Sequence, residues 1–143
     1  MPLFFSLNNS YSIIIPIFNE INHIPFLVKE LKWFYDNGHE VIIVDDGSTD
    51  GSPDALSNQN FLKVFRFNEN KGKGEALKKG ISKAKNEKLI LFDGDFELHP
   101  REIKKLMILD STKNIKCVFG KRNNLRNSLS FWNLGNFIFS KIF

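Results

Sequence analysis

The stretch that most constrains the fold is a run of four large apolar residues, Leu89–Phe92, that stops at Asp93-Gly94-Asp95. Apolar runs without alternation favour strands that are buried on both faces, as in parallel sheets. Acids directly after such a strand lie at its carboxyl end, where open α/β sheets bind ligands. Two carboxylates around a small glycine suit Mg²⁺ or Mn²⁺ that bridges to a diphosphate, because these hard cations prefer oxygen ligands. Taken alone, the same residues also fit an acidic turn.

Strand-like and helix-like patterns alternate along the chain. The predicted strands are Tyr11–Ile17, Glu40–Val44, Phe61–Phe67, Leu89–Phe92 and Lys116–Gly120. The predicted helices run from about Asn22 to Asn37, over Pro53–Ser57, from the loop 68–74 to about Ala84, and onward from about Pro100. This alternation predicts an α/β fold, a three-layer α/β/α sandwich with a mainly parallel sheet. Pro16 cannot donate a ladder hydrogen bond, so pairing of the first strand is expected to end near it.

The segment 129–143 differs from the rest of the chain. On a helical wheel, Asn133, Asn136 and Ser140 share one narrow face, while aromatic and aliphatic residues cover most of the remainder. Packing against one sheet face would cover only a stripe of such a helix. We expect either a second apolar surface (a membrane, a partner chain or further sequence) or a terminal core helix with exposed aromatics. The predicted organisation is an extension over 1–10, an α/β domain over 11–128 and this aromatic helix.

Charge is distributed unevenly along the chain. The net charge is +4, but residues 1–99 carry 11 Lys/Arg against 14 Asp/Glu, and residues 100–143 carry 9 against 2. A basic final third suits an anionic partner such as a nucleotide or a membrane surface, or else forms a solvated face. Nucleic acid is not expected as a partner, since no strand carries an aromatic-basic motif.

Several other classes of protein and site are disfavoured. The single cysteine, Cys117, excludes an internal disulfide and a multi-cysteine metal site, and it is expected to be a buried thiol. Neither a signal peptide nor a stretch of about 20 apolar residues is visible, so the expected location is cytoplasmic. The histidines His23, His39 and His99 are scattered and are expected at the surface. No serine or cysteine nucleophile motif and no phosphate-binding Gly-Lys loop is present.

Acids follow three of the predicted strands. Glu20 follows the first, Asp45 and Asp46 the second, and Asp93 and Asp95 the fourth. The carboxyl ends of parallel strands share one edge of the sheet, so we expect these five carboxylates to converge. Such a cluster would repel itself unless a cation or a hydrogen-bonding ligand compensates. A divalent metal would supply the compensating charge, and a nucleotide would supply hydrogen bonds.

These residues resemble the successive motifs of family 2 glycosyltransferases with the GT-A fold. The spacing is most similar to the polyprenyl-phosphate branch, which is typified by dolichyl-phosphate mannosyltransferase. The stretches that carry the resemblance are Ser12–Glu20, Val44–Ser52, Asn70–Leu77, Asp93–Asp95 and the basic residues Gly120–Arg122 and Arg126. Phe18 stands where the family usually has tyrosine, and Glu97 where the branch often has glutamine.

The resemblance implies a role for each matching residue. Asp93 and Asp95 would hold Mg²⁺ or Mn²⁺ against the donor diphosphate, with Gly94 between them and Glu97 beyond. Arg122 and Arg126 would bind phosphates of the donor or the acceptor, and Arg122 would take part in catalysis with the two aspartates. The residues expected around the base and ribose of a UDP- or GDP-sugar are Pro16, Phe18, Glu20, Val44 and Asp46.

The implied activity is a metal-dependent, inverting sugar transfer from a nucleotide-diphosphate donor to an acceptor. A polyprenyl phosphate at the cytoplasmic membrane face is the expected acceptor, and segment 129–143 would lie on the membrane surface as a peripheral anchor. A lipid phosphate is already an anionic nucleophile, so this transfer requires no dedicated general base. Family members of this branch continue well beyond such a helix. The alternative is therefore a non-catalytic nucleotide-sugar-binding or assembly subunit that needs a second copy or a larger membrane partner.

Overall fold

A computed structural model describes residues 10–107 of the chain. Several predictions lie outside these residues, namely the extension at the amino terminus, the strand at 116–120, Cys117, Arg122, Arg126 and the helix over 129–143. The described strands are β1 (Tyr11–Ile17), β2 (Glu40–Asp45), β3 (Lys63–Arg66) and β4 (Lys88–Leu91). The helices are α1 (Ile24–Asp36), α2 (Ser52–Ser57), α3 (Lys73–Lys83) and α4 (Ile103–Leu106), the last preceded by a 3₁₀ turn over Pro100–Glu102.

The described strands form one parallel sheet in the order β3-β2-β1-β4. β1 is central and fully buried, as its unbroken run of isoleucines predicts. The chain places β2 and β3 on one side of β1 and then returns to add β4 on the other. The order of the strands therefore reverses between β1 and β4, and the carboxyl ends of these two strands lie side by side.

Helices cover both faces of the sheet. On one face, Ile13 and Ile15 of β1 pack with α1, α2 and α4 in a single apolar cluster. On the other face, Ile14 packs with β2 and with Ala76 and Leu77 of α3. Successive isoleucines of β1 thus pack into the apolar cores on opposite faces of the sheet. The predicted three-layer sandwich is confirmed.

Helix α3 approaches the sheet through a glycine. A Cβ placed on Gly80 would come within 2.3 Å of Ile14 Cγ2 and 3.3 Å of Val44 Cγ2. Real Cβ atoms do not approach carbon atoms so closely, because protein interiors are already packed to the density of organic crystals. Gly80 is therefore the residue that lets α3 lie directly on β1 and β2.

The effect of Pro16 differs between the two edges of β1. Pairing with β2 continues beyond it to Ile17, which is opposite Asp45, whereas pairing with β4 reaches only Ile14. Backbone groups of alternate residues point to the same edge, so Pro16 faces the β4 side together with Ile14. Pairing therefore ends within two residues of Pro16 at both edges, as predicted, but the missing amide of Pro16 affects only the β4 edge.

Element ends differ from the predictions for local reasons. β3 begins at Lys63 rather than Phe61, because the Leu62 amide donates to Gln59 O in a turn at 3.0 Å. α1 begins at Ile24, with His23 at its N-cap position. The helix expected from Pro100 starts as a 3₁₀ turn before α4. Across residues 10–107, each helix is too short or too polar to span a bilayer.

A buried carboxylate ties the amino ends of the strands together. Glu40 is 4% exposed, and it accepts hydrogen bonds from Lys63 Nζ at 2.5 Å, from the Lys85 amide at 2.8 Å and from the Ser12 hydroxyl. Burial favours the neutral acid, but these donors outweigh it and hold the pKa of Glu40 below its ordinary value. The network joins β1, β2, β3 and the loop before β4 at the edge opposite the acids of the strand ends.

Candidate functional site

A cleft of about 310 Å³ lies at the carboxyl edge of the sheet, beside the ends of β1 and β4. This is the point where the strand order reverses, the usual ligand position in open α/β sheets. Loops after all four described strands form its walls. The lining residues are Pro16, Ile17, Phe18, Glu20, Asp46, Asn70, Gly72, Lys73, Asp93, Gly94 and Asp95.

Acids from three separate strand ends do meet in this cleft. They are Glu20, Asp46, Asp93 and Asp95. The fifth acid, Asp45, does not join them, because it is fully buried at the end of β2. Its carboxylate accepts a hydrogen bond from the Ser48 amide at 2.9 Å and pairs with Arg66 Nε at 3.2 Å on the neighbouring strand β3. The expected convergence is confirmed for four of the five carboxylates, and the inclusion of Asp45 was wrong.

The loop after β1 is attached to the loop after β2 by reciprocal hydrogen bonds. The Asn19 amide donates to Ser48 Oγ, and the Thr49 amide donates to Asn19 Oδ1, both at 2.9 Å. Asn19 has a φ of 56°, and these two bonds stabilise that left-handed backbone. The Ile21 amide donates to Asp50 Oδ2, also at 2.9 Å. Hydrogen bonds therefore hold the backbone on both sides of Glu20.

Asp46 holds the loop that follows β3. Its Oδ1 accepts from the Lys71 amide at 2.7 Å and its Oδ2 from the Gly72 amide at 2.8 Å. The two loops touch closely, since a Cβ on Gly47 would lie 2.5 Å from the carbonyl carbon of Glu69. Gly47 also has a φ of +79°, which suits glycine. Asp46 thus lines the cleft, and both of its carboxylate oxygens accept hydrogen bonds from backbone amides of the neighbouring loop.

The two aspartates after β4 have different partners. Asp93 Oδ1 pairs with Lys73 Nζ of α3 at 2.5 Å, and both side chains are partly exposed. Asp95 Oδ1 accepts from the Glu97 amide at 3.0 Å, which closes the turn behind it. An exposed ion pair contributes about 1 kcal/mol or less to stability. The Asp93 carboxylate can therefore leave Lys73 and bind another cation with only a small loss of free energy.

Gly94 is required for a reason that the sequence did not indicate. We expected it to leave room for a metal or phosphate, but its missing side chain faces β1 instead. A Cβ there would lie 2.7 Å from Ile17 Cγ2 and 3.2 Å from Ile15 Cγ2. The segment that carries the two aspartates therefore rests directly on the core of the sheet.

The residues present fit a particular class of metal ion. Within residues 10–107, no three His, Cys, Asp or Glu side chains are grouped so as to enclose a metal. Two accessible carboxylates, Asp93 and Asp95, do share one cleft. Mg²⁺ and Mn²⁺ are commonly bound by one or two carboxylates together with phosphate oxygens of the substrate. The two carboxylates therefore suit a cation that binds together with a diphosphate, and not a structural metal that is enclosed by protein ligands.

A histidine–aromatic contact lies next to the acids. His23 Nδ1 is 2.6 Å from Glu20 Oε2, and the His23 ring stacks on Phe96 with centroids 5.8 Å apart. Phe96 has a φ of 59°, an unusual backbone conformation for a bulky residue. It also makes edge contacts with Phe26 and His99. His23 is partly exposed, as expected for a surface histidine, but it also contacts an acid of the cleft.

The other predicted site residues divide into those inside and those outside the cleft. Pro16 and the 44%-exposed Phe18 line it. Val44 does not, because its side chain is fully buried in the core beneath α3. Glu97 is exposed and also lies outside the lining, contributing its amide to Asp95.

Four lining residues were absent from the predicted site. They are Ile17, Asn70, Gly72 and Lys73. The last three belong to the loop after β3 and to the start of α3. Because β3 belongs to the same parallel sheet, the loop after it lies at the same edge as the other cleft loops. The sequence could have indicated these residues in that way.

Comparison with known proteins agrees with this architecture. The family described as "Glycosyl transferase family 2" matches residues 12–140. The undecaprenyl-phosphate 4-deoxy-4-formamido-L-arabinose transferase of Proteus mirabilis (strain HI4320) is 30% identical over 129 residues, which are 84% of this chain and 39% of that protein. The chain therefore spans about two fifths of the length of this curated relative.

Solved structures share the fold. S. aureus TarS 1-349 in complex with UDP has 27% identity and a TM-score of 0.51, covering 60% of this chain and 27% of that one. Glucosyl-3-phosphoglycerate synthase from Mycobacterium tuberculosis, in complex with Mn²⁺, UDP and glucosyl-3-phosphoglycerate, has a TM-score of 0.59 at 24% identity. That match covers 68% of this chain and 38% of the synthase. The predicted GT-A fold is confirmed. With a family match over nearly its whole length and acids from three strand ends in one cleft, the chain belongs to glycosyl transferase family 2.

Proposed function

We propose that this chain carries the donor-binding part of a metal-dependent, inverting glycosyltransferase that uses a UDP- or GDP-sugar. The observation that supports this most is the meeting of Glu20, Asp46, Asp93 and Asp95 in one cleft at the switch point of the sheet. The complex of S. aureus TarS with UDP, on a similar fold, supports a nucleoside diphosphate as the ligand. The cleft volume of about 310 Å³ is at the lower end of small-molecule sites, as expected for an open cleft that holds part of its ligand.

The cleft residues divide between the two ends of such a donor. Phe18 is exposed and offers a flat ring to a base, Pro16 adds an apolar wall, and Glu20 offers a carboxylate to ribose hydroxyls. Asp46 acts indirectly, because it fixes the loop at Lys71 that forms the opposite wall.

Asp93 and Asp95 would hold Mg²⁺ or Mn²⁺ against the diphosphate. The bound cation would neutralise negative charge on the leaving diphosphate. Lys73 starts beside Asp93 and would remain close to the phosphates once its carboxylate partner binds the cation. Arg122 and Arg126, outside the described residues, would add bidentate contacts to phosphate oxygens, which guanidinium groups favour.

A polyprenyl phosphate is the proposed acceptor. The P. mirabilis relative is named as an undecaprenyl-phosphate transferase, and a lipid phosphate supplies its own anionic nucleophile. Direct attack of that oxygen on the sugar carbon breaks the bond to the diphosphate and inverts the configuration at that carbon. The transfer would take place at the cytoplasmic face of the membrane, with segment 129–143 on the lipid surface.

Nucleotide-sugar binding is the first test of the proposal. We would titrate the full chain with UDP- and GDP-sugars, with and without Mn²⁺, and follow thermal unfolding. A donor at about 100 times its Kd stabilises the fold by about 2.7 kcal/mol, which is readily seen as a rise in Tm. Asp95→Asn should abolish the Mn²⁺-dependent rise, whereas Asp54→Asn, an exposed control in α2, should keep it. If no nucleotide sugar gives a metal-dependent shift, the proposal is wrong.

Turnover distinguishes the enzyme from the alternative binding subunit. A radiolabelled donor incubated with undecaprenyl phosphate in detergent should yield labelled lipid over many cycles. Donor binding without any lipid product, in the presence of Mn²⁺, would instead favour a binding or assembly subunit.

A further inference from the structure

His23 contacts Glu20 within the connection from β1 to α1 and also links this connection to the loop after β4. Glu20 belongs to the loop after β1, and its neighbour His23 is at the start of α1. Through its ring, His23 also reaches Phe96 in the loop after β4, immediately after Asp95. One side chain therefore bridges the acid at the base-and-ribose end of the cleft and the acids at its diphosphate end.

The hydrogen bond has a defined direction. A carboxylate can only accept, so the 2.6 Å contact requires Nδ1 of His23 to donate to Oε2 of Glu20. The Glu20 side chain is 20% exposed and that of His23 is 43% exposed. With Oε2 held by His23, Oε1 becomes the oxygen available to a hydroxyl group of a ligand.

Position 23 breaks a local rule of helix formation. The N-cap of a helix favours Ser, Thr, Asp or Asn, whose side chains accept from the first free amides. His23 occupies the N-cap of α1 and makes no such capping bond. Its side chain is turned to Glu20 and Phe96 instead. Departures from local preference of this kind are expected at functional sites.

The stacking partner is also held in an unusual conformation. Phe96 adopts a φ of 59°, which is costly for an aromatic residue and persists only where the surroundings enforce it. The rings of His23, Phe26 and His99 surround it with centroids 5.8, 6.3 and 5.9 Å away. The conformation of Phe96 in turn fixes the direction in which the chain leaves Asp95.

We propose that His23 is a positioning residue for donor binding: it orients the Glu20 carboxylate in the cleft and couples it, through Phe96, to the Asp93–Asp95 segment. This inference rests on the proposed function, because it takes the cleft to be the donor site. Preorganised groups bind more tightly because their ordering cost has already been met in the free protein. Without His23, the carboxylate would rotate among several conformations and bind ribose hydroxyls less well.

The test measures UDP and GDP binding to the full chain by isothermal titration calorimetry with Mn²⁺, using the tighter diphosphate for all variants. His23→Phe keeps a ring against Phe96 but cannot donate to Glu20. We expect it to weaken binding roughly tenfold, the scale of a hydrogen bond to a charged group. The matched control is His99→Phe, which changes another neighbour of Phe96 that lies outside the cleft lining. It should bind within about twofold of the wild type.

A double-mutant cycle separates positioning from a general structural effect. If His23 acts through Glu20, His23→Phe should weaken binding less than about twofold in a Glu20→Ala background. Equal losses in both backgrounds, or wild-type affinity of His23→Phe, would overturn the inference while leaving the proposed function intact. If the wild type binds neither diphosphate, the proposed function itself fails and this inference fails with it. Should His23→Phe not fold, His23→Leu carries the same cycle.

Discussion

Gly80 of α3 lies against Ile14 of β1 so closely that a methyl group on the glycine would reach within 2.3 Å of Ile14 Cγ2. Ile14 is also the last residue of β1 that pairs with β4, which leads into the cleft. The helix that begins at the cleft with Lys73 is therefore seated on the sheet by contact with the central strand.

Replacement of Gly80 by alanine should destabilise the fold. Alanine favours a helix over glycine by about 1 kcal/mol, but overpacking a close contact costs about 1–3 kcal/mol. We expect a net loss in the free energy of unfolding, measured by urea denaturation. Gly74→Ala is the control on the same helix, since its added Cβ meets nothing within 4 Å. A Gly80→Ala variant as stable as Gly74→Ala would contradict the packing.

Acid should remove a stabilising contribution from Glu40. The folded-state pKa of Glu40 is held below its ordinary value of 4.5 by Lys63, the Lys85 amide and Ser12, against the opposing effect of burial. Its contribution is therefore fully present above pH 4.5 and is lost as the pH falls through the lower folded-state pKa.

Glu40→Gln should cost about 1–3 kcal/mol near neutral pH, the range for a buried partner of a charged hydrogen bond. The difference in the free energy of unfolding between wild type and variant should shrink as the pH falls below 4.5, as chemical denaturation at a series of pH values would reveal. A difference that stays constant down to pH 3, roughly a unit and a half lower, would show that the charge of Glu40 is not responsible.

Asp46→Asn should loosen the loop after β3. The carboxylate accepts from the Lys71 and Gly72 amides with separate oxygens, and an asparagine retains only one acceptor. We expect a loss of about 1–3 kcal/mol in stability together with weaker diphosphate binding. Thermal unfolding and calorimetry measure the two effects. Asp36→Asn, at the exposed end of α1, should change neither binding nor the loop.

Lys73→Ala should make Mn²⁺ alone bind more tightly. The ammonium group of Lys73 occupies Asp93 in the free protein, so its removal frees that carboxylate and takes away a repelling charge. Because an exposed ion pair contributes up to about 1 kcal/mol, the gain should be roughly fivefold. Electron paramagnetic resonance of free Mn²⁺ measures this without any substrate. Lys83→Ala, at the far end of α3, serves as the control and should leave Mn²⁺ affinity unchanged.

The layers of the fold could be predicted because each one has a clear pattern. The unbroken isoleucines of β1 indicate a strand buried on both faces, and the spacing of Ile24, Leu27 and Leu31 indicates one buried stripe on α1. The ends of elements were less accurate, because single contacts decide them. The turn at Leu62, for example, shortens β3 although its residues favour a strand.

The candidate site could be predicted only in part. Acids after strands indicate the shared edge, which is why Glu20 and Asp95 were found. The direction of a side chain at a strand end was not visible, so Asp45 was placed in the cleft and Val44 beside it. Lys73 was missed because its place in the site depends on the ion pair with Asp93, a tertiary contact between residues 20 positions apart in the chain.

The close packing of Gly94 on Ile15 and Ile17 connects the core of the sheet to the segment of the two aspartates. A bulkier side chain at Ile15 would push the segment of Asp93 and Asp95 away from the sheet, although Ile15 itself does not line the cleft. Under the proposed function, such a substitution in the apolar interior should weaken binding of the metal ion and the nucleotide even where the protein remains folded.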